Sequence, residues 1–214
     1  MKKTPTQYLE AYQKLHAAEE GFLVDGKEYG PNKHLFDGSN FVTKLYTQFC
    51  DVIKNYPAAR VLDYGCGKAT HLFKPVFEKG TLYQQFPGQI QTYYCYDPGN
   101  KQYQTPPARG AKFDIIICAD VMEHVPQDMI LNTLYDMRLA LAPGGVVLFT
   151  IGGQAAKKQF LDGENLHCSV LPMEWWMEQI SHVFKGEAVY VRYEPGECNE
   201  IWVNQEYVKL ARPL

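Results

Sequence analysis

The sequence predicts an α/β fold, an open and mostly parallel sheet with helices on its faces. Three observations carry that expectation. The apolar pair Val61-Leu62 runs into Asp63 and then into two glycines, Gly65 and Gly67, separated only by Cys66, which reads as a strand entering a tight turn. The stretch Asp114-Ile115-Ile116-Ile117-Cys118-Ala119 is an unbroken β-branched run, as in a central parallel strand buried on both faces. Strand-like and helix-like periodicities alternate along most of the chain.

From the N-terminus, residues Thr6 to Glu20 read as a helix with Thr6 as N-cap. Tyr8, Leu9, Tyr12, Leu15 and His16 recur at three- and four-residue spacing as one aromatic stripe, and Gly21 stops it. Gly26, Gly30-Pro31 and Asp37-Gly38-Ser39 mark a loop that carries Tyr29, His34 and Phe36. A second helix is expected from about Asn40 to Asn55, with Phe41, Leu45, Phe49, Val52 and Ile53 facing the core, and Pro57 ends it. Residues 1–59 thus form a helical extension ahead of a core spanning 60–214, the whole being one structural domain.

The core opens with a strand from Arg60. After the glycine turn, His71, Leu72, Phe73, Val76 and Phe77 suggest a helix whose N-terminal N–H groups face a ligand. Lys79 to Gly88 reads as an insertion. The next strand, Gln91 to Tyr96, ends at Asp97-Pro98-Gly99. Gly99 to Gly110 is too short and too rich in Pro and Gly for a regular strand and helix, so this part of the sheet is abbreviated. The strand ending at Ala119 leads to a helix from Pro126 to Ala140. Leu141-Ala142-Pro143-Gly144-Gly145 then turns the chain into the strand Val146 to Thr150. A helix from Pro172 to Val183 follows. Strands Ala188 to Tyr193 and Glu200 to Val208, joined at Pro195-Gly196, close the chain as an antiparallel hairpin.

A chain of 214 residues with 46% hydrophobic content supports a sizeable core. No apolar run approaches the roughly 20 residues of a membrane span, and the N-terminus lacks the apolar segment of a signal peptide. The six cysteines are scattered with no Cys-x-x-Cys pair, which suits reduced thiols and a cytoplasmic protein. The net charge is −3 and no Lys/Arg cluster exists, which argues against long nucleic acid as the partner.

Leu62-Asp63-Tyr64-Gly65-Cys66-Gly67 resembles motif I of the class I S-adenosylmethionine (SAM)-dependent methyltransferases, an acidic residue followed by three glycines at alternate positions. Ala69 stands at the third glycine. The resemblance runs roughly from Val61 to Val208. It implies a Rossmann-like, seven-stranded type of sheet with SAM as cofactor. Asp63, Gly65, Cys66 and Gly67 would cradle the methionine part, while Asp120 and Val121 would border the transfer site. Asp97, a carboxylate ending the second strand, is placed to accept both ribose hydroxyl protons. No residue is assigned to the adenine, because the segment expected to carry it is the abbreviated one. The N-terminal extension either folds over the cofactor as a lid, presenting Tyr12, His16 and Tyr29 to a substrate, or simply packs on the core.

Ala119-Asp120-Val121-Met122-Glu123-His124-Val125 is similar to the post-strand Glu-His motif of many small-molecule methyltransferases, and His167 lies downstream. Three readings stay open. His124 or His167 is a general base for a hydroxyl, with Glu123 beside it. Alternatively, Asp120, Glu123, His124 and His167 bind a divalent metal, a use to which related spacings are put in ubiquinone-pathway and small-RNA methyltransferases. In the third, Glu123 and His124 only brace a turn. Pro172-Met173-Glu174-Trp175-Trp176 resembles the substrate-side loop of a group of phage and bacterial methyltransferases, with Trp175 as a pocket wall or as core packing. The expected reaction is methyl transfer to a small-molecule or sugar-like hydroxyl. A nitrogen acceptor, a metal-dependent RNA-end 2′-O-methyltransferase and a non-catalytic SAM-binding protein are the alternatives.

Overall fold

The computed structural model describes residues 3–194 and 199–203. Helix α1 (Pro5–His16) starts one residue earlier than expected. Thr4, not Thr6, is its N-cap, and the side chains of Thr4 and Gln7 close a capping box with each other's backbone N–H groups. Strands β1 (Phe22–Val24) and β2 (Lys27–Tyr29) form a hairpin where the sequence suggested only loop. Its turn, Asp25-Gly26, takes positive φ at both residues (50° and 74°), the geometry that suits the twist of a two-residue hairpin. The expected second helix breaks at Leu45, giving α2 (Ser39–Lys44) and α3 (Tyr46–Ile53).

Strand β3 (Ala59–Tyr64) enters the glycine turn, but the helix expected after it does not form. A single 3-10 turn, Thr70–Leu72, takes its place, and Phe73 and Phe77 are exposed. Pro75 explains the difference. It has no N–H to give to the His71 carbonyl and disfavours helical backbone at Lys74. The segment from Lys79 to Gly88 holds the short α4 (Leu82–Gln85) and leads to β4 (Ile90–Tyr96). After β5 (Phe113–Ala119), two 3-10 turns precede α5 (Ile130–Ala140), so Pro126 lies outside that helix. The Leu141–Gly145 turn is a register shift inside the long β6 (Leu141–Gly152). Phe113 pairs with Leu141, but Ile115 pairs with Val146. The remaining elements are β7 (Lys158–Gln159), α6 (Met173–Val183), β8 (Ala188–Glu194) and β9 (Asn199–Val203). The expected turn at Pro195-Gly196 and the end of the last strand, 204–208, lie outside the described residues.

The main sheet has the order β4-β3-β5-β6-β8-β9, parallel except for β9. Its six strands among the described residues agree with an abbreviated third-strand region. One face is covered by α5 and α6, with Trp176 fully buried. The other is covered by α2 and α3, with Phe41 and Phe49 buried. Strand β7 instead joins the β1–β2 hairpin, and a smaller cluster of Tyr8, Leu15, Phe22, Phe160 and Leu166 seats α1 on that unit. The carboxyl ends of β3, β4, β5 and β6 therefore share one edge of the sheet, the edge where open α/β sheets bind ligands, and α1 lies over it.

Candidate functional site

The glycine turn is held from above, from the side and from below. Gly65 has φ 79°, and a Cβ there would fall 2.3 Å from a methyl of Val121. Gly67 has φ 59°, and its Cβ would fall 2.3 Å from the Phe36 carbonyl oxygen. Only glycine meets both demands. The N–H of Gly67 donates to Asp97 Oδ2 at 2.8 Å, and Asn100 Nδ2 donates to the Gly67 carbonyl at 2.7 Å. Below the turn, Asp63 is 2% exposed. Its Oδ2 accepts from the Tyr93 hydroxyl at 3.1 Å and lies 3.0 Å from His71 Nε2. Asp63 therefore braces the turn as well as bordering the cleft. Ala69, at the third-glycine position, adopts φ 49°, a left-handed conformation.

A cleft of about 440 Å³ opens over this turn, within the range of roughly 300–1,000 Å³ typical of small-molecule sites. It is lined by Asp63 to Gly67, Asp97 to Gly99, Ala119 to Val121, His124, Val125 and Pro126, with Pro5, Leu9, Tyr12 and His16 of α1 on the opposite wall. Asp97 is nearly buried, and its Oδ1 also accepts from the Gly99 N–H at 2.8 Å. Burial pushes its carboxyl up to about 6, against the pull of the Gly67 and Gly99 N–H groups. His16 Nε2 lies 3.9 Å from Asp97 Oδ1, its ring stacks on Phe36 at 4.7 Å, and burial lowers it to about 4. Gln13 ties the same end of α1 to the Pro98 carbonyl at 3.1 Å. The glycine cradle, the buried carboxylate at the second strand's end and the size of the cleft fit SAM.

At the end of β5, Asp120 sits at φ 53° with both carboxylate oxygens engaged. Thr150 Oγ1 donates to Oδ1 at 2.5 Å and Lys44 Nζ donates to Oδ2. Lys44 also donates to Glu194 at 2.8 Å. Glu123 is 1% exposed. Its Oε1 accepts from the Gly152 N–H at 2.9 Å, while Oε2 is buried with no hydrogen-bond partner. Burial and the nearby Asp120 push Glu123 up to about 8. His124 Nδ1 lies 3.0 Å from the Leu166 carbonyl and 3.0 Å from the Tyr12 hydroxyl. His167 Nδ1 lies 2.6 Å from the Gln154 carbonyl. The two imidazoles meet edge to face, with centroids 4.8 Å apart. One potential ligand atom from each of Glu123, His124 and His167 falls within 4.8 Å of the others, whereas Asp120, bound to Thr150 and Lys44, is not part of that group.

The structure therefore brings together Asp63, Gly65, Cys66, Gly67, Asp97, Asp120, Val121, His124, Tyr12 and His16 at one cleft, with Glu123 and His167 behind it. Tyr29 and Trp175 are placed elsewhere. Tyr29 is half-exposed on β2, stacked on Phe22, because the segment that carries it pairs as a hairpin edge. Trp175 packs edge-on against the buried Trp176 at 5.1 Å, among the core residues of α6. Sequence reasoning missed Lys44, Thr150, Phe36 and Asn100. Lys44, Thr150 and Phe36 reach the site from distant parts of the chain, for which a lone Lys, Thr or Phe gives no local signal, whereas Asn100 follows Asp97 by three residues in the same turn.

A sequence profile of the methyltransferase domain family matches residues 37–189. Searches of curated protein sequences and of solved structures return no significant match. The matched span contains the glycine turn, Asp97, the Asp120–His124 segment and His167, and it leaves α1 and the β1–β2 hairpin outside. No helix among the described residues is long and apolar enough to cross a membrane. A match over most of the chain, agreeing with a cleft built at the carboxyl edge of this sheet, establishes that the protein belongs to the methyltransferase domain family and is a class I SAM-dependent methyltransferase.

Proposed function

We propose that the protein methylates a hydroxyl of a small-molecule acceptor, and that an imidazole of the His124–His167 pair takes the hydroxyl proton. One observation carries this reading. Both imidazoles have Nδ1 against a backbone carbonyl, Leu166 for His124 and Gln154 for His167. A carbonyl only accepts, so each ring keeps its proton on Nδ1 and its lone pair on Nε2.

Bound SAM supplies a methyl group that is already electrophilic. The glycine turn, Asp63 and Asp97 fix the cofactor's position, and α1 covers it from water, which makes that helix of the N-terminal extension a cover. Burial and the neighbouring His167 hold His124 down to about 3, so it is neutral. A proton arriving on Nε2 as the acceptor oxygen bonds to the methyl carbon needs a counter-charge. Glu123, within 4.8 Å, supplies one only once it ionises, which burial and Asp120 defer to about pH 8.

A divalent metal on Glu123, His124 and His167 is the second reading, and the unpartnered Oε2 of Glu123 favours it. Two neutral imidazoles with free Nε2 atoms and a carboxylate suit a borderline ion such as Zn²⁺ or Mn²⁺. In that case the ion would lower the pKa of a bound hydroxyl.

Transfer of labelled methyl from SAM to a panel of hydroxy compounds tests the proposal. His124→Ala and His167→Ala should lower kcat by roughly 10²- to 10⁴-fold while leaving SAM affinity within about threefold. Full activity in both variants would refute an imidazole role.

A further inference from the structure

Two free thiols meet at the glycine turn. Asp63 of β3 and Cys95 of β4 are register partners, so their side chains share one face of the sheet. The chain then folds back over β4. The N–H groups of Gly65 and Cys66 both donate to the Tyr96 carbonyl, at 2.7 and 3.2 Å. This seats Cys66 beside the end of β4, and its thiol is hydrogen-bonded to that of Cys95. Neither cysteine is in a disulfide. Cys66 is 2% exposed, whereas Cys95 is half-buried. The bond to Cys95 and burial push the Cys66 thiol up, so Cys66 stays protonated and a reagent reaches Cys95 first.

Cys66 also stands where a small displacement matters. It lines the cleft between Gly65 and Gly67, both at positive φ. Gly65 lies against Val121, and the Gly67 N–H holds Asp97. A disulfide draws its sulfurs to about 2.05 Å, closer than any hydrogen-bonded pair of thiols. Cys95 is fixed in β4 by pairing with β3, so Cys66 must make the movement and take the turn with it.

We propose that Cys66 and Cys95 form a redox-modification site, which a low-molecular-weight disulfide oxidises to an intramolecular disulfide that weakens SAM binding. The Cys95 thiolate attacks one sulfur of glutathione disulfide and releases one glutathione thiolate. The Cys66 sulfur then attacks the Cys95 sulfur of the mixed disulfide, loses its proton to water and releases the second thiolate. Two electrons pass from the protein to the reagent, and a thiol reductant reverses both steps. Such a pair suits a reducing compartment, where disulfides are transient and sensing.

Incubation of the reduced protein with glutathione disulfide tests this. Tryptic digestion without reductant should yield peptides 61–68 and 80–101 joined through Cys66 and Cys95. Calorimetry should show S-adenosylhomocysteine affinity falling at least tenfold, and dithiothreitol should restore it. By linkage, S-adenosylhomocysteine added first should disfavour the cross-link by the same factor. Cys95→Ser and Cys95→Ala should bind S-adenosylhomocysteine as the reduced parent does and keep that affinity in the oxidant. A glutathione adduct at Cys95 with no joined peptides, a cross-link that leaves affinity within twofold, or an equal loss of affinity in both Cys95 variants would overturn the proposal.

Discussion

The Tyr12 hydroxyl lies 3.0 Å from His124 Nδ1 and donates to the Leu166 carbonyl, the acceptor that His124 also faces. A side chain from α1, outside the span shared with the family, is thus joined to the imidazole at the heart of the site. The three-way contact ties the covering helix to the 3-10 turn after β5 and to the segment that carries His167.

Tyr12→Phe should separate the hydroxyl's role from that of the ring. The ring packs edge-on against Phe160 at 5.2 Å and Phe36 at 6.0 Å, and Phe preserves both contacts. Loss of one hydrogen bond should cost about 1 kcal/mol, or a Tm drop of roughly 2–4 °C. kcat should fall several-fold with S-adenosylhomocysteine affinity unchanged. Calorimetry and steady-state rates measure both, and abolished cofactor binding would mean that Tyr12 instead holds the cleft open.

The glycine turn makes opposite predictions at two positions. Gly65→Ala drives a Cβ into Val121 at a φ of 79° and should cost about 1–3 kcal/mol, with at least tenfold weaker cofactor binding. Ala69→Gly removes a left-handed alanine but also a buried methyl and some unfolded-state restraint, so its stability should stay within about 1 kcal/mol of the parent. Thermal unfolding of the two variants side by side checks the contrast.

Much of this architecture was legible because it is written locally. The β-branched run of β5, the Asp63–Gly67 turn and Asp97 at a strand end each carry their meaning within a few residues. The shortness of Gly99–Gly110 likewise foretold that, among the described residues, no strand forms between β4 and β5. What stayed hidden depends on distant partners. The missing helix after Gly67 turned on Pro75, visible in the sequence but outweighed by an apolar pattern. The β1–β2 hairpin was masked by its glycines. Trp175 and Tyr29 look like pocket residues by type, and only packing against Trp176 and Phe22 places them elsewhere. Lys44 reaches Asp120 across 76 positions, which no spacing rule anticipates.

Metal analysis discriminates the two readings of the histidine pair. If Glu123, His124 and His167 hold an ion, the purified protein should retain about one equivalent of a divalent transition metal after dialysis. Glu123→Gln and His167→Ala should lose it. Asp120→Asn should keep the metal, because Thr150 and Lys44 already occupy that carboxylate. Elemental analysis together with a Co²⁺ absorption titration provides the readout. A metal-free parent with no Co²⁺ spectrum leaves the imidazole base as the surviving account.

Asp97 should set a pH limit on cofactor binding. Burial raises its carboxyl from an ordinary value near 3.8 to about 6, so the fold favours the protonated form. In the free protein its contribution to stability is complete below about pH 4 and is lost as pH rises through 6, a change of about 3 kcal/mol. Cofactor binding has the opposite sign. In the proposed ribose role, hydroxyls would donate to the ionised carboxylate, whose oxygens keep free lone pairs beyond the Gly67 and Gly99 N–H bonds. The Kd for S-adenosylhomocysteine should therefore be flat above pH 7 and weaken by up to tenfold per unit below pH 6. His16, lowered to about 4, does not titrate in that window. Asp97→Asn should bind more weakly throughout and lose the slope. Calorimetric titrations from pH 5 to pH 8 give both curves. A slope that survives in Asp97→Asn would assign the titration to another group and remove Asp97 from the ribose role.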